Sequence, residues 1–183
     1  MKILAIAGSN SDTSINKQLV SYAASLIENA EVEIVDMNDF EMPIYKNQRE
    51  VESGVPQEAK NLAEKIDAAD MLLVSLAEHN GTYSTAFKNV FDWTSRIKGR
   101  KVWNDIPMFL MATATGPRGG LGVLEAASKR FPLHAGNIVE TFTLPHFNDN
   151  FDKETNVISN EEKNSELKEK ISKISAVEII LEK

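Results

Sequence analysis

The sequence contains no cysteine. That removes disulfides, thiolate metal sites, thiol nucleophiles and cysteine-ligated iron–sulfur clusters, so any redox chemistry must come from a bound cofactor. Positive charge is also short: 20 Lys and Arg stand against 27 Asp and Glu, for a formal net charge of −7. Nucleic acids and anionic membranes both require a positive field, so neither is an expected partner, and a small-molecule substrate suits the acidity better. No apolar run approaches the length of a membrane span. The opening run over residues 1–7 is too short for the apolar part of a signal peptide, so the expected location is the cytoplasm. Low-complexity tracts and linker composition are lacking as well, and a single domain over residues 1–183 is expected.

What is present is a βα rhythm. Residues 2–7 form a continuous apolar run ending in Gly8, as in a strand buried on both faces of a parallel sheet. From Ser14, apolar residues at Ile15, Leu19, Tyr22, Ala23, Leu26 and Ile27 follow helical spacing behind good N-cap residues. Residues 32–35 alternate as a short strand, and residues 38–55, rich in Pro, Gly and polar side chains, predict a long surface connection. A helix is predicted over 56–69, a buried strand over 71–76, a polar turn over 77–82 and a helix from about Ala86 to near Gly99. A strand over 107–112 then opens into a Gly-rich loop over 113–120. A helix over 121–131, a strand over 137–142 and a charged C-terminal helix over 159–181 complete the chain. Five strands alternating with five helices predict a doubly wound parallel α/β sandwich, because parallel pairing requires crossover connections.

In such sheets ligands bind beyond the carboxyl ends of the strands, where the loops after the first, third and fourth strands converge. The first loop has neither the dinucleotide G-x-G-x-x-G nor the G-x-x-x-x-G-K-[ST] phosphate signature. It offers Ser9, Ser11, Thr13, Ser14 and Asn16 at the mouth of a helix, which suits a terminal phosphate monoester and equally suits simple helix capping. Asp36 ends the second strand, but without the glycine fingerprint a ribose-binding role is not expected. His134 and His146 stand apart from paired carboxylates, so no metal site is expected.

Four short patterns keep their order and fall on βα junctions: Gly8-Ser9-x-x-x-x-Ser14-x-Asn16, Glu78-x-Asn80, Lys88-Asn89-x-x-Asp92-Trp93 and Gly116-x-x-Gly119-Gly120. Together they resemble the NAD(P)H-dependent FMN reductase family, which includes quinone and chromate reductases and some azoreductases. The resemblance implies a flavodoxin-like five-stranded parallel sheet of order 2-1-3-4-5. It implies bound FMN, with NADPH or NADH as electron donor. Ser9, Ser11, Thr13, Ser14, Ile15 and Asn16 would surround the phosphate and ribityl chain; Ala77, Glu78, His79, Asn80 and Gly81 would line the ring; Thr113, Thr115 and Gly116 would meet its pyrimidine edge. The helix carrying Asp92 and Trp93 would lie at a subunit contact, implying a homodimer or a tetramer, although a core role for Trp93 is the ordinary alternative.

Three positions depart from the family pattern. Ser11 stands where the family commonly has Arg, removing a charge-assisted phosphate contact. Ala77 and His79 stand where the family has Pro and Tyr. No catalytic side chain is required, because the flavin carries the chemistry. His79, whose ordinary pKa lies near neutrality, is the candidate for proton transfer, with ring-edge packing as the alternative reading. Arg118 could attract a dinucleotide phosphate or stabilise its own loop. The expected function is an FMN-dependent NAD(P)H oxidoreductase acting on a small acceptor such as free flavin, a quinone or an azo compound. The alternatives are a flavodoxin-type electron carrier and an FMN-binding homologue without turnover.

Overall fold

The structure, a computed structural model, describes residues 1–181, with side chains through Ile174. Its strands are β1 (Lys2–Gly8), β2 (Glu31–Val35), β3 (Met71–Leu76), β4 (Glu78–His79), β5 (Thr82–Tyr83), β6 (Pro107–Thr113), β7 (Asn137–Leu144), β8 (Phe151–Asp152) and β9 (Val157–Ile158). Its helices are α1 (Ile15–Ser25), α2 (Asn47–Ser53), α3 (Gln57–Asp67), α4 (Thr85–Thr94), α5 (Leu121–Arg130), α6 (Phe147–Asn150) and α7 (Glu161–Leu181). The long strands form one five-stranded sheet in the order β2-β1-β3-β6-β7, parallel throughout. Counting those five alone, this is the expected 2-1-3-4-5 order of a flavodoxin-like fold.

The continuous apolar runs are explained by the two faces they serve. In β1, Leu4 and Ile6 face one core while Ile3, Ala5 and Ala7 face the other. In β3, Leu72, Val74 and Leu76 likewise alternate with Met71 and Leu73. Helices α3, α4 and α5 cover the first face, and α1 and α7 the second. Each large aliphatic side chain removed from water on these faces contributes about 1.5–3 kcal/mol, so both layers are strongly specified. Strand β2 is an edge strand whose first four residues are exposed, which accounts for its weaker apolar signal.

Two expectations are revised. Residues 38–55 are not a featureless connection: a 3₁₀ turn over Met37–Phe40 buries Met37 and Phe40, Met42 is buried behind it, and α2 follows. Scattered apolar residues among Pro and polar neighbours hide that anchoring from a periodicity test. The polar turn over 77–82 is an ordered hairpin in which Glu78 pairs with Tyr83 and His79 with Thr82. Its tip, Asn80-Gly81, has φ of 52° and 81°, the doubly positive combination that a tight two-residue hairpin demands.

Candidate active site

Sheet register brings the site together. Gly8 at the end of β1 pairs with Leu76 at the end of β3, and Leu76 pairs with Ala112 near the end of β6. The loops leaving these strands therefore start side by side.

The first loop is held open by its own backbone. The Ser11 amide donates to the Ser9 hydroxyl oxygen at 3.2 Å, and the Lys17 amide to that of Ser14, the N-cap of α1, at 3.1 Å. A hydroxyl that accepts keeps its own proton to donate, so Ser9 and Ser14 remain competent phosphate donors. Ser11 and Thr13 are exposed, and among the described residues the amides of Asn10, Asp12 and Thr13 find no acceptor within the chain. Free amides, hydroxyls and the positive end of an 11-residue helix together fit a phosphate monoester. The capping reading also holds, since the Ser14 hydroxyl accepts the Lys17 amide.

Asn16 is occupied otherwise. Its side chain is buried, with Oδ1 accepting from the Ser75 hydroxyl at 2.8 Å and the Thr113 amide at 3.1 Å, and Nδ2 donating to the Thr113 carbonyl at 3.2 Å. It ties the start of α1 to β3 and β6, which lie on the far side of β1 from β2. Thr113 is similarly engaged, its hydroxyl donating to the Leu144 carbonyl at 2.6 Å. The side chains of both residues hold the loops together, and what they offer a ligand is position.

Glu78 performs the same service on the other side. Its carboxylate accepts the Val123 amide at 3.0 Å, capping the start of α5 from a different loop. Gly120, the N-cap of α5, supplies no side chain of its own. A Cβ at Gly122 would lie 2.9 Å from the same carboxylate, so the glycine clears the approach. Beyond it, His79, Asn80, Gly81 and Thr115 are exposed, Ala77 is buried, and Gly116 is half-buried. The Thr115 and Gly116 amides find no acceptor within the chain among the described residues, leaving donors for the carbonyl-rich edge of a bound ring. Gly119, at φ 57°, packs so closely that a Cβ would meet the Pro145 nitrogen at 2.7 Å, and this fixes the return of the loop.

Other candidates are placed elsewhere. Trp93 is buried, its indole N–H donating to the Pro43 carbonyl at 2.7 Å and its ring meeting Tyr45 edge-on at 5.0 Å. Asp92 pairs with Lys88 on the surface of α4. His134 packs edge-on against Phe91 at 4.9 Å, and burial, aided by Arg130 and Lys101, holds its pKa below the ordinary value. Arg118 and His146 are exposed. Asp36 accepts from Lys17 at 2.6 Å and from the Asn38 amide at 2.9 Å; chiefly these two bonds keep its carboxyl below the usual range. Sequence reasoning passed over Lys17, Ser75 and Val123. Ser75 alone carried a signal, as the one polar residue inside an apolar strand.

The sequence profile of the NADPH-dependent FMN reductases matches residues 1–149. The chain belongs to that family. A 2-hydroxy-1,4-benzoquinone reductase from Burkholderia sp. is 32% identical over 120 residues, 65% of this chain and 63% of that protein. An NADPH:quinone oxidoreductase from Arabidopsis thaliana is 30% identical over 166 residues, 86% of this chain and 82% of that one. In fold, the chain matches the flavoenzyme NAD(P)H:(acceptor) oxidoreductase of Paracoccus denitrificans with a TM-score of 0.72 at 22% identity, covering 93% of each. Membership makes the chain an NAD(P)H-dependent flavoenzyme with FMN as its cofactor. Its first loop and the free amides at Thr115 and Gly116 fit that cofactor.

Proposed function

We propose that this chain passes electrons from NADPH or NADH to a small flat acceptor, a quinone or a free flavin, at the junction of the three loops. The observation that carries the reading is the cross-tying of those loops by Asn16 and Glu78, which fixes an otherwise open, donor-rich cleft. When bound, the flavin supplies the two-electron couple that a cysteine-free chain lacks. The residues do the positioning. Ser9, Ser11, Thr13, Ser14 and the Ile15 amide receive the phosphate; the hairpin from Ala77 to Gly81 lines one side of the ring; the Thr115 and Gly116 amides meet its polar edge and favour negative charge there.

Beside this cleft lies a cavity of about 410 Å³ shared by Asn10 and His79 with Phe40, Met42 and Ile44. Met37, Met42 and Val90 give it an apolar wall while Asn38, Asn89 and His79 supply polar groups, a mixture that supports a flat acceptor with polar substituents entering there. On this reading His79 stands at the entrance as a hydrogen-bonding group. The proposal extends to one domain over residues 1–183, a cytoplasmic location, and a homodimer, or a tetramer, built on α4. The exposed Ile44, 68% accessible between Pro43 and Tyr45, which bond to Asn89 and Trp93 of α4, supports such an interface.

The test is spectroscopic. FMN is added to the purified protein, and NADPH and NADH are then supplied anaerobically. Rapid bleaching of the bound flavin with either donor is expected. Saturable binding without bleaching would replace the reductase with an electron carrier, and no binding would overturn the reading.

A further inference from the structure

The phosphate loop has an electrostatic deficit. Between Ser9 and Asn16 it carries no cation and one carboxylate, Asp12, where a phosphate dianion is to dock. The helix dipole and neutral hydroxyls offset only part of that repulsion. A basic side chain lies one position beyond. Lys17 is the third residue of α1, its amide already bound to the Ser14 hydroxyl. Lys17 borders, with Asp12, Thr13 and Ser14 of the loop, one end of a groove of about 510 Å³ that runs along α1 to Thr155 and Val157. Its ammonium is 2.6 Å from Asp36 at the end of β2.

We infer that Lys17 is the counter-charge for the cofactor phosphate, with Asp36 holding it beside the loop until FMN docks. The inference rests on the proposed function and adds a residue and a competition to it.

The pair is built for exchange. Lys17 and Asp36 are 42% and 32% exposed, and an ion pair so hydrated holds its partners weakly. A phosphate offers several acceptor oxygens and more charge than a carboxylate, so it competes well for the ammonium. Asp36 is not orphaned by the exchange, because Oδ1 keeps both the Asn38 amide and the Asn38 side-chain nitrogen, each at 2.9 Å. Lysine suits the task better than arginine here, since a flexible stem with a compact charge can swing between two acceptors. Asp36 therefore acts against cofactor binding, and the two residues have opposite effects.

The experiment measures dissociation constants of FMN and of riboflavin, which lacks the phosphate, by flavin fluorescence for the unmodified chain, K17M and D36N. K17M is expected to weaken FMN about tenfold, the usual worth of a charge-assisted contact, and to leave riboflavin unchanged. D36N, which keeps an acceptor for Asn38, is expected to tighten FMN about two- to fivefold by releasing the ammonium. The salt dependence of FMN binding should be shallower in K17M. If the unmodified chain binds FMN and K17M matches it, or if K17M weakens both flavins equally, the inference is overturned and the functional reading stands. If the unmodified chain binds no FMN, both fall. Should K17M fail to fold, D36N decides alone: unchanged or weaker FMN binding overturns the inference.

Discussion

Replacing Asn16 by alanine separates two roles that the same residue could play. If its amide only touched the cofactor, the cofactor-free protein would not notice the loss. In the structure it makes three buried hydrogen bonds, to the Ser75 hydroxyl and to both backbone groups of Thr113. Each is worth about 1 kcal/mol net, so Asn16→Ala should cost the cofactor-free protein about 3 kcal/mol. The figure is not larger because a water filling the vacated polar space would recover part of it. At about 2–4 °C per kcal/mol for a chain of this size, the midpoint of thermal unfolding should fall by about 6–12 °C. Urea unfolding of the FMN-free protein, with unchanged slope, is the assay. Ser75→Ala should cost about 1 kcal/mol, and the double variant less than the sum, because the two side chains share one bond. A change within about 0.5 kcal/mol for Asn16→Ala would refute the assignment of Asn16 as a tie between the loops.

Two further perturbations follow from the same geometry. Glu78→Gln keeps an oxygen for the Val123 amide and should leave FMN affinity near that of the unmodified chain, whereas Glu78→Ala should destabilise by about 1 kcal/mol, as for other lost caps, and weaken FMN by loosening the start of α5. Equal FMN affinity in both variants, measured by fluorescence titration, would show that the cap does not position the site. His134 should confer acid sensitivity. Its folded pKa is lowered by burial, so the unfolded chain takes up the proton first; the stability is present above the ordinary value near 6.5 and is lost as pH falls through the folded value. Unfolding midpoints from pH 7.5 to 5 should decline less steeply in His134→Gln, and parallel curves would count against this.

The fold was legible because two-sided burial leaves a mark that survives in one dimension. Runs such as Met71–Leu76 have no polar face, and only a parallel sheet covered by helices satisfies them. The convergence of the three loops was legible, since glycine, serine and asparagine gather where neighbouring parallel strands end. The hairpin at Asn80-Gly81 could also have been read, because that dipeptide between short extended segments marks a tight turn. The anchoring of residues 37–42 could not, because its apolar residues pack against α3 and α4 with no regular period.

The sequence alone determined that no thiol redox centre exists and that three polar loops follow strands of one parallel sheet, the first of them suited to a phosphate or to a helix cap. Tertiary structure decided which side chains in those loops are already bonded within the chain. Asn16, Thr113 and Glu78 belong to the right motifs, yet their side chains bond to partners 97, 31 and 45 positions away. Lys17 belongs to none of the motifs, and only the fold brings Asp36 at the end of β2 to its ammonium. A side chain's hydrogen-bonding capacity is finite, and whether it remains for a ligand depends on neighbours that only the folded chain brings within reach.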